Sequence, residues 1–461
     1  MPGEYLDQIL KYTSSRSKYA EARFMDIESN ALSYRNGSFE GVDFDSEKGY
    51  AFRVANNSIA MGFCDSEDWD TIKNTIDIAI RKSNASGKNN ISFGRAIKDG
   101  WEVQQKKKIG DFSIEDKISI LKDNDSCMEN DGASVRVNRI SDKSINQRYI
   151  NSVGSDIRGK IFRVAYTYMM GFADSGNFEQ SIQQFGASSG FEYIDSLNLE
   201  NRIYEDAKGL LDSLKATKPD EGNYDIVVGP EISGITAHES CGHPTEYDRI
   251  IGREGAQAGE SFLAGKRYPF KVGSKNVSII DNPSLKESYG YYKYDDEGTP
   301  SRKRYLYREG MTGEFILNRE SAALLGEDSN GGGRSSSWDM EPLGRMSTTY
   351  IEPGNYSVDE LIDGVKNGIY INSFTEWNID DIRFNEKYVG KDAFYIKNGK
   401  IAGRVKRPTI ETNTVKFYSS VDAVGKDLEF YAGTCGKGDP EQGIEVWMGG
   451  PHMRLREVHI K

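Results

Sequence analysis

Ala216-Thr217-Lys218-Pro219-Asp220-Glu221-Gly222-Asn223 divides this chain into two unlike halves. The stretch is polar and carries both Pro and Gly, the composition expected of a domain boundary. At 461 residues the chain exceeds one ordinary core, so two domains are expected, 1–219 and 220–461. Before the boundary, apolar residues recur at helical spacing from Leu6 to Lys11, from Trp69 to Lys82, and over 115–129 and 197–216. Asp65-Ser66-Glu67-Asp68 offers N-capping and first-turn carboxylates to the second of these helices. Alternating segments near 20–27, 31–35, 48–54, 58–63, 133–140, 145–152 and 160–171 predict strands in an antiparallel or mixed sheet. Beyond the boundary the chain is richer in Gly. Short strands are expected at 224–229, 276–281, 303–308, 313–317, 346–351, 393–397 and 427–431. The fold class is α+β, with an N-terminal α/β unit and a strand-rich C-terminal domain.

Composition narrows the function. Hydrophobic residues make up 37% and charged residues 28%, the balance of a globular chain with a polar surface. A net charge of -12 argues against direct nucleic-acid binding, which needs clustered cations to displace counterions. The longest basic run, Lys106-Lys107-Lys108, reads as solvated surface. No apolar run approaches the roughly 18 residues of a membrane span. Met1-Pro2-Gly3-Glu4-Tyr5 lacks the features of a signal peptide, so a cytoplasmic protein is expected. The four cysteines, Cys64, Cys127, Cys241 and Cys435, are widely spaced and read as free thiols or metal ligands. The four histidines are His238, His243, His452 and His459. Any imidazole site must draw on these.

Two of them flank a carboxylate in His238-Glu239-Ser240-Cys241-Gly242-His243. Hydrolytic zinc sites use three protein ligands and keep a fourth position for water, whose proton a nearby carboxylate accepts. Tyr224 to Val228 reads as a buried strand, and Gly229-Pro230 opens a helix running to about Cys241. The histidines are five apart rather than four, which on a regular helix aims them roughly 140° apart. Either a π-bulge or a helix that stops between them repairs this. Gly242, able to form a left-handed cap, and Pro244, which biases His243 away from helix, favour the stop. Without it, two polar residues at an exposed helix end explain the motif equally well. The third ligand is left open: Cys435 in Gly433-Thr434-Cys435-Gly436-Lys437-Gly438, His452 or His459, with Cys241 badly placed by adjacency. Cys435 also reads simply as a small buried hydrophobe.

Other motifs are weaker. Gly186-Ala187-Ser188-Ser189-Gly190 matches GxSxG, but its flanks, Ser181 to Phe185 and Phe191 to Ile194, read as two strands rather than a strand-to-helix elbow. Asp295-Asp296-Glu297 reads as a solvated turn, and Asn330 to Ser337 as a lid or a surface loop.

Taken in order, five motifs resemble the TldD/PmbA family, the modulators of DNA gyrase. They are His238 to His243 with Glu246 and Asp248, Asp295-Asp296-Glu297-Gly298-Thr299-Pro300, Gly332-Gly333-Arg334, Arg345-Met346-Ser347-Thr348-Thr349-Tyr350 and Cys435-Gly436-Lys437. The resemblance covers most of 225–440 and, more weakly, the first half. It implies a zinc-dependent peptidase in which His238, His243 and Cys435 hold Zn2+ and Glu239 is the general base. It implies unfolded peptides as substrates, no direct nucleic-acid or membrane partner, and a dimer. The dimer is either a homodimer or a pairing with a TldE/PmbA-type subunit that lacks the motif. Ser240-Cys241 and Pro244 depart from the small residues expected at those places. The alternative is a noncatalytic, zinc-stabilised peptide-binding subunit.

Overall fold

Four long strands organise the first half. The computed structural model describes residues 3–87, 90–256 and 258–461; Met1 and Pro2 of the segment read above lie outside the described residues. Tyr19–Arg35 turns at Asn36-Gly37, both with positive φ, and pairs antiparallel with Ser38–Ala55. Its other edge pairs with Val135–Asn151, which pairs with Asp156–Asp174. Ile59–Cys64 adds one edge, while Lys98–Glu102 and Asn177–Ala187 pair with successive parts of Asp156–Asp174.

The expectation of separate strands at 20–27 and 31–35, and at 133–140 and 145–152, is corrected: each pair is one strand. The polar runs between them have cross-strand partners. Ser29 lies opposite Lys143 and Asn30 opposite Asp142, whose Oδ1 accepts from Asn30 Nδ2 at 3.3 Å. Polar residues break a strand when they find local partners instead. Helices Leu6–Ser14 and Trp69–Ser83 cover one part of the sheet, packing Leu6, Ile9, Ile72 and Ile76 on Phe52 and Val54. Asp68 caps the second helix by accepting from Thr71 N at 2.9 Å. Ile114–Asn130 and Leu199–Leu214 pack Leu121, Met128, Ile203 and Leu210 on Ile140, Tyr166 and Tyr168. The strand expected from Phe191 to Ile194 is instead the helix Glu192–Ser196.

In the second half, a nine-stranded mixed sheet runs in the order Phe374–Ile379, Asn385–Gly390, Thr409–Asn413, Met453–Ile460, Gly222–Val228, Asn367–Ile371, Ala393–Lys397 and Lys400–Arg404, with Val421–Val424 also on Met453–Ile460. A six-stranded sheet orders Met311–Thr312, Arg304–Arg308, Ile279–Asp281, Thr348–Ile351, Gln442–Gly450 and Glu429–Lys437. The α+β class holds, with both antiparallel and mixed sheets. The strand expected at 313–317 is absent. That segment bonds to the metal motif's far end, Ile316 N donating to Thr245 O at 2.9 Å.

Between these two sheets lies the buried helix Pro230–Ala237. Ile232, Ile235 and Ala237 join Ile226, Val228, Val446 and Met453 in the largest core cluster. Gly234 permits the approach, because a Cβ there would sit 2.9 Å from Gly449 N. Among the described residues no helix is long and apolar enough to cross a membrane.

Buried polar groups join the halves. Arg53 binds Glu297 at 2.5 Å and Glu21 at 3.2 Å, while Arg319 Nη1 donates to Tyr19 Oη at 2.6 Å. Asp295-Asp296-Glu297 is therefore not a solvated turn. Asp295 and Glu297 are buried, and burial followed by repulsion from Glu297 pushes the Asp295 carboxyl up to about 8. Nor is Asn330 to Ser337 a surface loop: Arg334 is buried and donates to Met346 O at 2.6 Å and Glu445 O at 3.0 Å. Glu445 itself binds Arg163 at 2.6 Å and Lys143 at 2.8 Å. Burial alone would raise its pKa, but the two cations hold it well below the ordinary 4.5. A depressed carboxylate contributes stability that is complete above about pH 4.5 and is lost as pH falls below it. Glu445→Ala is expected to destabilise the fold by about 3 kcal/mol near neutral pH. Denaturant titration at several pH values should show the gap from wild type narrowing on acidification.

Candidate metal centre

The helix Pro230–Ala237 does not stop at the motif. It continues as a π-turn, His238–Gly242, closed by the His243 N–H donating to His238 O, and then tightens into the 3-10 turn His243–Thr245. This corrects the expected left-handed cap. Gly242 is right-handed, φ −56° and ψ −63°. Its need for Gly is spatial, since a Cβ would collide with Met346 Sδ. Pro244 falls in the first turn of the 3-10 segment, where its missing donor costs nothing. One extra residue in the turn returns His243 to the side of the helix that His238 occupies.

A π-turn leaves carbonyls short of donors, and side chains supply them. Tyr307 Oη donates to Ser240 O at 3.1 Å, and Thr245 Oγ1 lies 2.9 Å from both Cys241 O and Gly242 O. Ser240 Oγ donates to Glu386, whose Oε2 also accepts from Tyr388 Oη at 3.2 Å. Burial pushes the Glu386 carboxyl up to about 7 despite these two bonds.

The structure brings His238, His243 and Cys435 together, all buried, with one donor atom of each within 4.8 Å of the others. The imidazole rings are 5.0 Å apart and nearly perpendicular, and Cys435 Sγ is 3.4 Å from His243 Nε2. Cys435 reaches the site from the strand Glu429–Lys437, which is an edge of the six-stranded sheet. Its thiol is raised by burial, but His243 and Arg345 outweigh this and bring it down to about 7. Burial lowers the pKa of both histidines, which keeps the rings neutral as ligands must be. His243 Nδ1 faces Glu246 Oε2 at 3.0 Å, leaving Nε2 toward Cys435. Glu246 accepts from Arg249 Nε at 2.7 Å, and Lys437 lies 3.3 Å away. Burial would raise the Glu246 pKa, yet Lys437, His243 and Arg249 hold it well below normal. A carboxylate behind a histidine is a recurrent support for metal binding, because it fixes the tautomer.

His238 Nδ1 is buried without a hydrogen-bond partner among the described residues. An orphaned imidazole nitrogen beside a second imidazole and a low-pKa thiol is a donor set that suits zinc.

The competing side chains lie elsewhere. His452 uses Nδ1 on Asp427 at 2.7 Å and Nε2 on Tyr370 Oη at 2.9 Å. His459 faces Asn223 and Glu221. Cys241 packs in the apolar core, where burial pushes its pKa up. Glu239, next to His238, lines a cleft of ≈ 570 Å3 together with both histidines and Cys435. Its Oε2 accepts from Arg383 Nη1 at 2.7 Å. Ser188 does sit between a strand and a helix, contrary to the sequence reading. Among the described residues, however, its Oγ has one hydrogen-bond partner, the Tyr289 carbonyl at 3.5 Å, and no base. Arg383 and Glu386 escaped the sequence reading, since each joins the site from over 140 residues away.

Known proteins can be set beside this geometry. A family model for the PmbA/TldA metallopeptidase C-terminal domain matches residues 221–461, and one for domain 1 matches 20–83. A metalloprotease of Methanothermobacter thermautotrophicus is 29% identical, covering 99% of this chain and 98% of that one. A zinc metalloprotease TldD homolog of Saccharolobus solfataricus is 28% identical over 55% of each. Among solved structures, a candidate modulator of a DNA gyrase from Thermotoga maritima superposes with a TM-score of 0.80 at 16% identity, covering 99% of both chains. TldE from Thermococcus kodakarensis gives 0.76 at 15% identity over 98% of this chain and 99% of its own. The structural likenesses speak for the fold. With the model match spanning more than half of the sequence, the chain belongs to the TldD/PmbA metallopeptidase family.

Proposed function

We propose that the chain is a zinc-dependent peptidase that cleaves peptides or unfolded segments of protein. The observation that carries this reading is the buried His238, His243 and Cys435 cluster at a cleft, with Glu239 beside it. Among the described residues three side chains converge rather than four, which suits a catalytic site with an open position better than a structural one. This favours the enzyme over a noncatalytic peptide-binding subunit.

A zinc ion held there supplies Lewis acidity, which polarises a carbonyl and makes water acidic enough to ionise near neutral pH. The chain's own residues do the rest. Glu246 fixes the His243 ring, and Glu239 accepts a proton from the attacking water and returns it to the leaving amine. Two strands, Asn177–Ala187 and Glu429–Lys437, line the cleft, and among the described residues each has one strand neighbour, apart from the Ala187–Ser288 bridge at the end of the first. Their free backbone suits an extended peptide, with little demand on its sequence.

The domains of the proposal are 1–219 and 220–461, the second holding the metal. Four free cysteines suit a reducing, cytoplasmic setting. The working unit is a dimer, formed with a second copy or with a TldE/PmbA-type partner; neither nucleic acid nor membrane is a direct ligand.

Two outcomes follow. Glu239→Gln should retain zinc by elemental analysis while lowering kcat about 100-fold or more; unchanged kcat would rule out the general base. Ser240→Ala removes the donor that ties the π-turn to Glu386. It should weaken zinc binding about 10- to 100-fold in chelator competition.

A further inference from the structure

Glu239 is not alone in the cleft. Arg383 belongs to the turn between the strands Phe374–Ile379 and Asn385–Gly390, and its guanidinium lies against the Glu239 carboxylate. Both side chains are nearly buried, at 12% and 6% exposure.

Three observations describe how this arginine is held. First, its hydrogen bonding is incomplete. A guanidinium carries five N–H donors, and the side-chain bond found among the described residues is the one from Nη1 to Glu239. Nε is buried with no hydrogen-bond partner among the described residues. Secondly, the backbone at Arg383 is left-handed, φ 62°, a conformation that a long side chain rarely adopts and that recurs at functional sites. Thirdly, the turn is clamped. Arg383 N donates to Asp380 O at 2.9 Å, Thr414 Oγ1 donates to Arg383 O at 3.2 Å, and Phe262 N donates to Ile382 O at 2.8 Å. These bonds hold the turn, and the guanidinium with its spare donors lines the cleft.

We propose that Arg383 is a catalytic residue that donates hydrogen bonds to the reacting carbonyl oxygen of the peptide as that oxygen becomes negative. This rests on the peptidase reading above. In the addition step the water oxygen bonds to the carbonyl carbon, the water proton goes to Glu239, and the carbonyl π-electron pair moves onto the oxygen. In collapse that pair reforms the C=O bond, the C–N bond breaks, and the nitrogen takes the proton and leaves as an amine. Negative charge thus leaves Glu239 as it appears on the carbonyl oxygen. A guanidinium in contact with the first, with donors to spare, can follow the charge to the second without reorganising. Arg is suited to this because its rigid fork stays charged in a dry site.

The test uses the zinc-loaded full-length chain, with its dimer partner where one copurifies. The variants are Arg383→Ala, Arg383→Lys and Glu239→Gln. Readouts are zinc content, kcat and KM on a C-terminally amidated and a free-carboxylate peptide, and calorimetric affinity for a phosphinic peptide, which mimics the tetrahedral anion. For Arg383→Ala the expected result is full zinc content, a kcat loss of about 100-fold or more with KM within about threefold, and a similar loss of phosphinate affinity. Arg383→Lys should recover part of both, as should millimolar guanidinium added to Arg383→Ala.

Wild-type kcat and phosphinate affinity in Arg383→Ala would overturn the proposal. So would loss of zinc in both variants, or an effect confined to KM for the free-carboxylate peptide, which would make Arg383 a terminal-carboxylate site. Full activity in Glu239→Gln contradicts the peptidase mechanism itself. Inactivity of Glu239→Gln with full activity in Arg383→Ala contradicts only the arginine's role.

Discussion

One backbone hydrogen bond, from the His243 N–H to His238 O, decides what the motif can do. In its place an α-helical bond would leave the two imidazoles on different faces. The π-turn is an unfavourable local choice, and the surroundings support it. The helix before it is pressed between two sheets, with Gly234 against the backbone of Gly449. The turn itself is filled on one side by Met346, whose side chain would have to shift for any Cβ at Gly242. Its carbonyls are met by Tyr307 and Thr245, from outside the turn and from just beyond it.

Charge around the site is organised in the same spirit. Lys437, two residues after Cys435, is fully buried and lies 2.8 Å from both oxygens of Asp248 and 3.3 Å from Glu246. Glu246 in turn holds the His243 ring, so the strand that delivers the thiol also fixes the histidine's support. Burial lowers the pKa of both imidazoles, and the Cys435 thiol, raised by burial, is brought below its ordinary value by its interactions with His243 and Arg345. These preferences are what a metal needs of its ligands before it arrives.

Much of this was legible in the sequence where the signal is local. Asp68 capped its helix as the acidic stretch foretold, Pro230 opened the metal helix, and the histidine spacing announced a distorted turn. The kind of distortion was not legible. Gly242 carries a conformational signal, but its constraint is the Met346 side chain, 104 residues away (346 − 242). Likewise Glu28-Ser29-Asn30 looks like a break until Lys143 and Asp142 are placed across from it. Asp295-Asp296-Glu297 looks solvated until Arg53 and Arg319 close over Glu297 from other parts of the chain. Cys435 was a residue to be chosen among several. The residues alone left it open and the family resemblance pointed to Cys435; in the fold His452 is turned toward Asp427 and His459 toward Glu221. Period and capping are short-range physics; satisfaction of buried charge is not.

The central claim is that one ion is held by His238, His243 and Cys435 with a position left open. X-ray absorption at the zinc edge of the loaded full-length chain tests it most directly. The account predicts two nitrogen scatterers at about 2.0–2.1 Å, one sulfur at about 2.3 Å and one further light atom from solvent. The sulfur contribution should vanish in Cys435→Ser. A shell without sulfur in the wild type, or with two or more sulfurs, would contradict it.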